Sequence, residues 1–113
     1  MSDNPINISS PREGAVIVEF VGEHDLSTKT DIAARLERIV AGNELTVVDL
    51  CSATFIDSSF ITCLLVADEH AQRHGHELRV HVCDVPIISS TLDVSGVSER
   101  LTIVDSLEEA VRP

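Results

Sequence analysis

Asp57, Ser58 and Ser59 bring a carboxylate and two hydroxyls together just before the apolar run of residues 60–67. A strand-like segment, Leu45–Leu50, lies one short loop upstream. The order strand, loop, helix sets the three residues beyond the C-terminal end of a strand. In parallel α/β sheets that edge carries ligands and chemistry. A helix N-terminus has N–H groups without intrahelical acceptors and about half a positive charge. It is a prepared place for a phosphate. A phosphoryl group on Ser58 would add a charge of about −1.5 to −2 beside those N–H groups. Whatever docks there would feel the change. The same residues also read as a plain N-cap. The local pattern leaves both readings open.

Other chemical constellations are weaker. His70 and His74 share a helix face at i, i+4, with His76 close behind. That spacing can hold a metal. However, no HExxH order is present, and imidazoles suit a helix C-terminus. The expectation is a solvated helix end and no metal site. His24 beside Asp25 could be drawn as a base for Ser58, but no GxSxG elbow exists. Asp49 at a strand end suggests a phosphoreceiver. That chemistry also needs paired acids after the first strand and a late lysine, whereas the only lysine is Lys29. Asp49 is better read as capping a strand end. There is no Gly-rich phosphate loop, so no cofactor is expected. Cys51, Cys63 and Cys83 are an odd number, widely spaced and set among apolar neighbours. Reduced core thiols are expected.

The elements that must position these residues alternate along the chain. Residues 6–9 and 15–21 read as strands joined by a turn at Pro11 and Gly14. Residues 22–25 read as a loop. A helix starts near Ser27 or Thr28, with Thr28 and Asp31 spaced as a capping box. Ile32, Leu36, Ile39 and Val40 then form one helical face, and Gly42-Asn43 is the stop. Leu45–Leu50 is a central strand, followed by a helix from Ser58 to His74 that stops at Gly75. Leu78–Cys83 is a strand, Pro86 opens a third helix, and residues 101–104 form a last short strand. Asp105 with Glu108 caps a final helix over Ser106–Val111, and Arg112-Pro113 is tail. Such alternation implies an α/β fold: a mixed, mostly parallel sheet of about five strands with about four helices. The 113 residues form one domain, with a core over about residues 6–111.

Composition narrows the partner. Eight Lys+Arg against 19 Asp+Glu give a net charge of −11. No two basic residues are adjacent, which disfavours nucleic acid and anionic membranes. The longest apolar run is eight residues with Thr62 included; a spanning helix needs about 20. No secretory signal is visible at the N-terminus. A cytoplasmic domain with a protein partner is expected.

Three stretches resemble the STAS domain family, and in particular its anti-sigma factor antagonists. Residues 47–59 resemble its apolar-apolar-Asp-Leu, loop, Phe-apolar-Asp-Ser-Ser signature. Gly22-Glu23-His24-Asp25-Leu26 resembles its Gly-Glu-x-Asp loop. Residues 92–97 and 101–110 resemble its Leu-x-x-x-Gly-Leu and its closing Asp-Ser-Leu-Glu-Glu-Ala helix. The resemblance implies a bacterial partner-switching protein in transcription regulation, with no enzymatic activity of its own. Such a protein binds an anti-sigma factor and so frees a sigma factor. The anti-sigma factor carries a histidine-kinase-like ATPase domain and phosphorylates the serine after the Asp. By position that serine is Ser58, with Asp25, Asp57, Ser59 and Phe60 as partner-binding neighbours. A metal-dependent, PP2C-type phosphatase reverses the modification. Phe60 stands where the family usually has Gly, so it either turns into the core or stands out as a contact. Phe55, Ile61 and Leu64 read as core. The alternative role is a STAS-like structural subunit of a sensory assembly that is never phosphorylated.

Overall fold

The computed structural model describes residues 6–24, 29–83, 86–96 and 100–112. Strands β1 (Ile6–Arg12) and β2 (Ala15–Phe20) are followed by the short β3 (Gly22–His24) and helix α1 (Lys29–Gly42). Then come β4 (Leu45–Asp49), β5 (Ala53–Ile56), α2 (Ser58–Arg73) and β6 (Glu77–His81). The chain closes with α3 (Pro86–Ser95), β7 (Thr102–Val104) and α4 (Leu107–Ala110).

Five strands form one sheet in the order β1-β2-β4-β6-β7. β1 runs antiparallel to β2, and every other pair in this sheet is parallel. The mixed, mostly parallel sheet with four helices therefore matches the expectation. β3 and β5 form a separate parallel ribbon, where a loop and a junction are expected from the sequence.

Side-chain alternation divides the strands between two cores. Val16, Val18 and Phe20 of β2, with Val48 of β4, face the larger core, which α1, α2 and α3 cover with Ile32, Leu36, Leu64 and Ile88. Ala15 of β2, with Leu45 and Val47 of β4, faces a smaller core closed by Val104 and Ala110. β4 is buried along its whole length, as a central parallel strand must be.

The helix stops are made as expected. The Asn43 side-chain amide donates to the Ile39 carbonyl at 2.9 Å. Gly75 takes φ +72° after α2, a conformation that disfavours any side chain. The proposed Thr28 cap lies outside the described residues. At α4 the cap is Ser106, not Asp105: its hydroxyl accepts the Glu109 N–H at 3.1 Å. Arg112 is tied rather than trailing, because Arg79 donates to its carbonyl at 2.6 Å and to that of Ala110 at 3.0 Å.

Two expectations about side chains are corrected. Cys51 and Cys83 are joined in a disulfide, with Cα atoms 4.9 Å apart; Cys63 is the buried thiol. The cause is register. Asp49 sits opposite His81 on parallel neighbours, so residues two positions further on leave the sheet side by side. The histidine cluster is also less solvated than expected. His76 is half-buried, with Nδ1 2.8 Å from the Val40 carbonyl of α1. His74 stacks on it with centroids 5.8 Å apart.

Candidate functional site

The Asp57-Ser58-Ser59 junction begins where β5 ends. Asp57 is extended, at φ −118° and ψ −178°, and so cannot continue the helix backward. Its Oδ1 accepts the Phe60 N–H at 3.0 Å, and its carbonyl accepts the first helical N–H, from Ile61, at 3.1 Å. Asp57 is therefore the N-cap of the 16-residue α2. Ser58 is the first helical residue and is exposed, whereas Ser59 is half-buried. The Thr62 hydroxyl donates to the Ser58 carbonyl at 2.9 Å, adding a side-chain bond to the first turn.

Phe60 is 1% exposed and belongs to the larger core. Its side chain does not stand on the surface with Ser58, which corrects its assignment as a partner contact. Phe60 is in phase with Leu64, Ala67 and Ala71, the buried face of α2. Phe55 moves the other way: expected in the core, it is 39% exposed. In β5 the two ends, Ala53 and Ile56, are buried while Thr54 and Phe55 face out. The aromatic on the outside near Ser58 is thus Phe55, three positions upstream. Ile61 and Leu64 are buried as expected.

The β3–β5 ribbon positions the approach to this helix. Gly22 pairs with Ala53, Glu23 with Phe55 and His24 with Ile56, the residue before the Asp57 cap. The Gly22 N–H donates to the Ser52 carbonyl at 3.0 Å. The Ser52 hydroxyl donates to Glu19 at 3.0 Å, and Glu19 also accepts from the Asn7 amide at 3.1 Å. The start of the Gly-Glu-His stretch is therefore laced to the segment that delivers Ser58. Asp25, the next residue, lies outside the described residues. The ribbon is not visible in the sequence because strands of three and four residues show no usable periodicity.

Among the described residues, no helix is long and apolar enough to cross a membrane. No curated protein matches the chain. Solved structures do. An anti-sigma factor antagonist from Mycobacterium paratuberculosis superposes with a TM-score of 0.81 at 19% identity, covering 97% of this chain and 94% of that one. The anti-sigma factor antagonist SpoIIAA in its unphosphorylated form gives 0.79 at 16%, covering 95% and 93%. A sulfate transporter family protein from Wolinella succinogenes gives 0.74 at 20%, covering 91% and 85%. At such identities these likenesses establish the fold. The family model described as STAS domain matches residues 9–110, which span the sheet, the ribbon and the Asp57-Ser58-Ser59 junction. The chain belongs to the STAS domain family.

Proposed function

We propose that this STAS domain is an anti-sigma factor antagonist switched by phosphorylation of Ser58. The observation that carries the proposal is the exposure of Ser58 as first residue of α2, while Asp57 caps the helix and Phe60 packs inside. A kinase can reach this hydroxyl without unfolding the helix. The proposed partner is an anti-sigma factor with a histidine-kinase-like ATPase domain, and a PP2C-type phosphatase resets the switch in the cytoplasm. In this role the chain is a binding module and kinase substrate with no reaction of its own. Asp25, Asp57 and Ser59 remain the proposed partner contacts, joined by Phe55.

Phosphorylation would work by location. On a chain of net charge −11, two more charges change little globally. At one helix start inside an interface, repulsion and desolvation are local and costly.

A second reading has an observation in its favour. The sulfate transporter family protein shares the fold, so the fold also serves in proteins of another kind. As a structural subunit the chain would bind partners with no phosphorylation cycle. Incubation with ATP and the candidate anti-sigma kinase, followed by mass spectrometry, separates the two. The switch requires phosphate on Ser58 and binding weakened about tenfold or more in Ser58→Glu. An unmodified Ser58, with equal binding by Ser58→Ala and Ser58→Glu, sinks the switch and leaves the structural subunit.

A further inference from the structure

A second group of reactive side chains lies where β4 and β6 end. Asp49 and His81 are register partners on the two strands, 8% and 7% exposed. His81 Nδ1 is 3.2 Å from Asp49 Oδ1. The Cys51 sulfur of the Cys51–Cys83 disulfide lies 3.5 Å from His81 Nδ1 and 3.7 Å from Nε2. Asp49 Oδ1 also accepts the Cys51 N–H at 3.0 Å, fixing the backbone that carries this sulfur. Cys83 stands at the surface while Cys51 is half-buried.

The two sulfurs are therefore unequal in the ways that govern thiol–disulfide exchange. An attacking thiolate needs access to one sulfur, and the other must leave as a stabilised thiolate. Cys83 supplies the access. Cys51 would leave beside an imidazole whose Nδ1 also meets the Asp49 carboxylate, so the ring is held in place next to the sulfur. We propose that Cys51–Cys83 is a thiol–disulfide exchange site, in which Cys83 is attacked and His81, oriented by Asp49, stabilises the departing Cys51 thiolate.

The co-reactant is a dithiol, either a small molecule or a protein. Its first thiolate bonds to Cys83 Sγ, the Cys51–Cys83 bond breaks, and the electron pair leaves on Cys51. Its second thiolate attacks the reductant's own sulfur in the mixed disulfide, releasing Cys83. The dithiol becomes a disulfide and the protein gains two electrons. The two protons from the dithiol end on Cys83 and on the Cys51–His81 pair. The broken bond had anchored Cys51, the start of the connection that runs through β5 to the Asp57 cap. The proposal stands whether or not Ser58 is phosphorylated.

The test uses the full oxidised chain under native conditions. With glutathione, mass spectrometry should place the mixed disulfide on Cys83, while buried Cys63 stays unlabelled. With dithiothreitol, the bond should open without unfolding. His81→Phe should slow that opening about tenfold. It should also remove the ultraviolet absorbance of the Cys51 thiolate from the reduced protein, a signal that a merely structural role would not move. Glutathione on Cys51, or a bond that opens only when the protein unfolds, overturns the proposal. So does a reduced protein that holds one equivalent of added zinc and no longer exchanges, because the group is then a metal centre. Adduct mapping on the unmutated chain decides the matter even if His81→Phe does not fold.

Discussion

Phe60 meets Phe20 edge-on, with ring centroids 5.0 Å apart and ring planes at 84°. This is the favoured geometry for two aromatic quadrupoles and adds about 0.5–1.5 kcal/mol to the burial of the rings. It also explains how a bulky residue is accommodated right after the candidate switch: the ring is directed into the sheet, and β2 supplies its partner. Phe60→Ala should cost about 3–5 kcal/mol in urea unfolding. Phe60→Gly, the residue usual in the family, should cost about 1 kcal/mol more. Phe60→Leu should fold and bind the proposed partner within about twofold of the parent, since a surface contact is not what it removes.

Asp57 permits capping to be separated from charge. Asp57→Ala removes the acceptor for the Phe60 N–H and should cost about 1 kcal/mol. Asp57→Asn keeps an acceptor and should change stability by only a few tenths of a kcal/mol. If the carboxylate serves α2 alone, Asp57→Asn should bind the proposed anti-sigma factor partner within about threefold of the parent. A larger loss measured by calorimetry would mean that the charge itself meets the partner.

Thr46 is a small flaw in the core. It is fully buried in β4, and its hydroxyl finds no hydrogen-bond partner among the described residues. A buried unsatisfied polar group costs about 1–3 kcal/mol. Thr46→Val replaces the hydroxyl with a methyl of similar size and should stabilise the domain by about 1 kcal/mol. Thermal unfolding should show Tm rising by about 4–8 °C.

Asp68 supplies a pH dependence. Partial burial on α2 raises its carboxyl above the ordinary range, against the lowering effects of the Gln72 amide at 2.8 Å and of Arg100. The folded chain therefore holds this proton more tightly than the unfolded chain. The charged form costs stability at neutral pH, and the cost fades as pH falls through the raised folded value to below the unfolded one. Asp68→Asn should be slightly more stable at neutral pH, by no more than about 0.5 kcal/mol given solvent screening. The difference should vanish in acid, as read from Tm across a pH series.

The main sheet and the helix faces were legible because their signals are long or repetitive. Ile32, Leu36 and Val40 recur at helical spacing and are all buried. β-branched runs mark β2 and β4. What was missed depends on contacts between distant segments. The disulfide needs β4 and β6 to be neighbours in a given register, which no local pattern states. The β3–β5 ribbon is too short for periodicity. Phe55 and Phe60 are both aromatic beside the same junction, and only the phase of β5 and α2 decides which points inward. Ser58 itself was legible as the residue after a cap, whereas its exposure required the helix to be placed.

The strand order carries a kinetic consequence. Among the described strands, only β1 and β2 pair across a tight turn, and β1 is mostly exposed, so that hairpin alone buries little. Every later pairing in the main sheet must close a long loop first. Val18 and Val48 face each other from 30 positions apart, and Val48 and Val80 from 32. Loop-closure entropy is spent before those contacts return anything, which slows a chain of this topology relative to a helical bundle of equal length. β4, central and wholly buried, cannot be satisfied until partners on both sides have arrived.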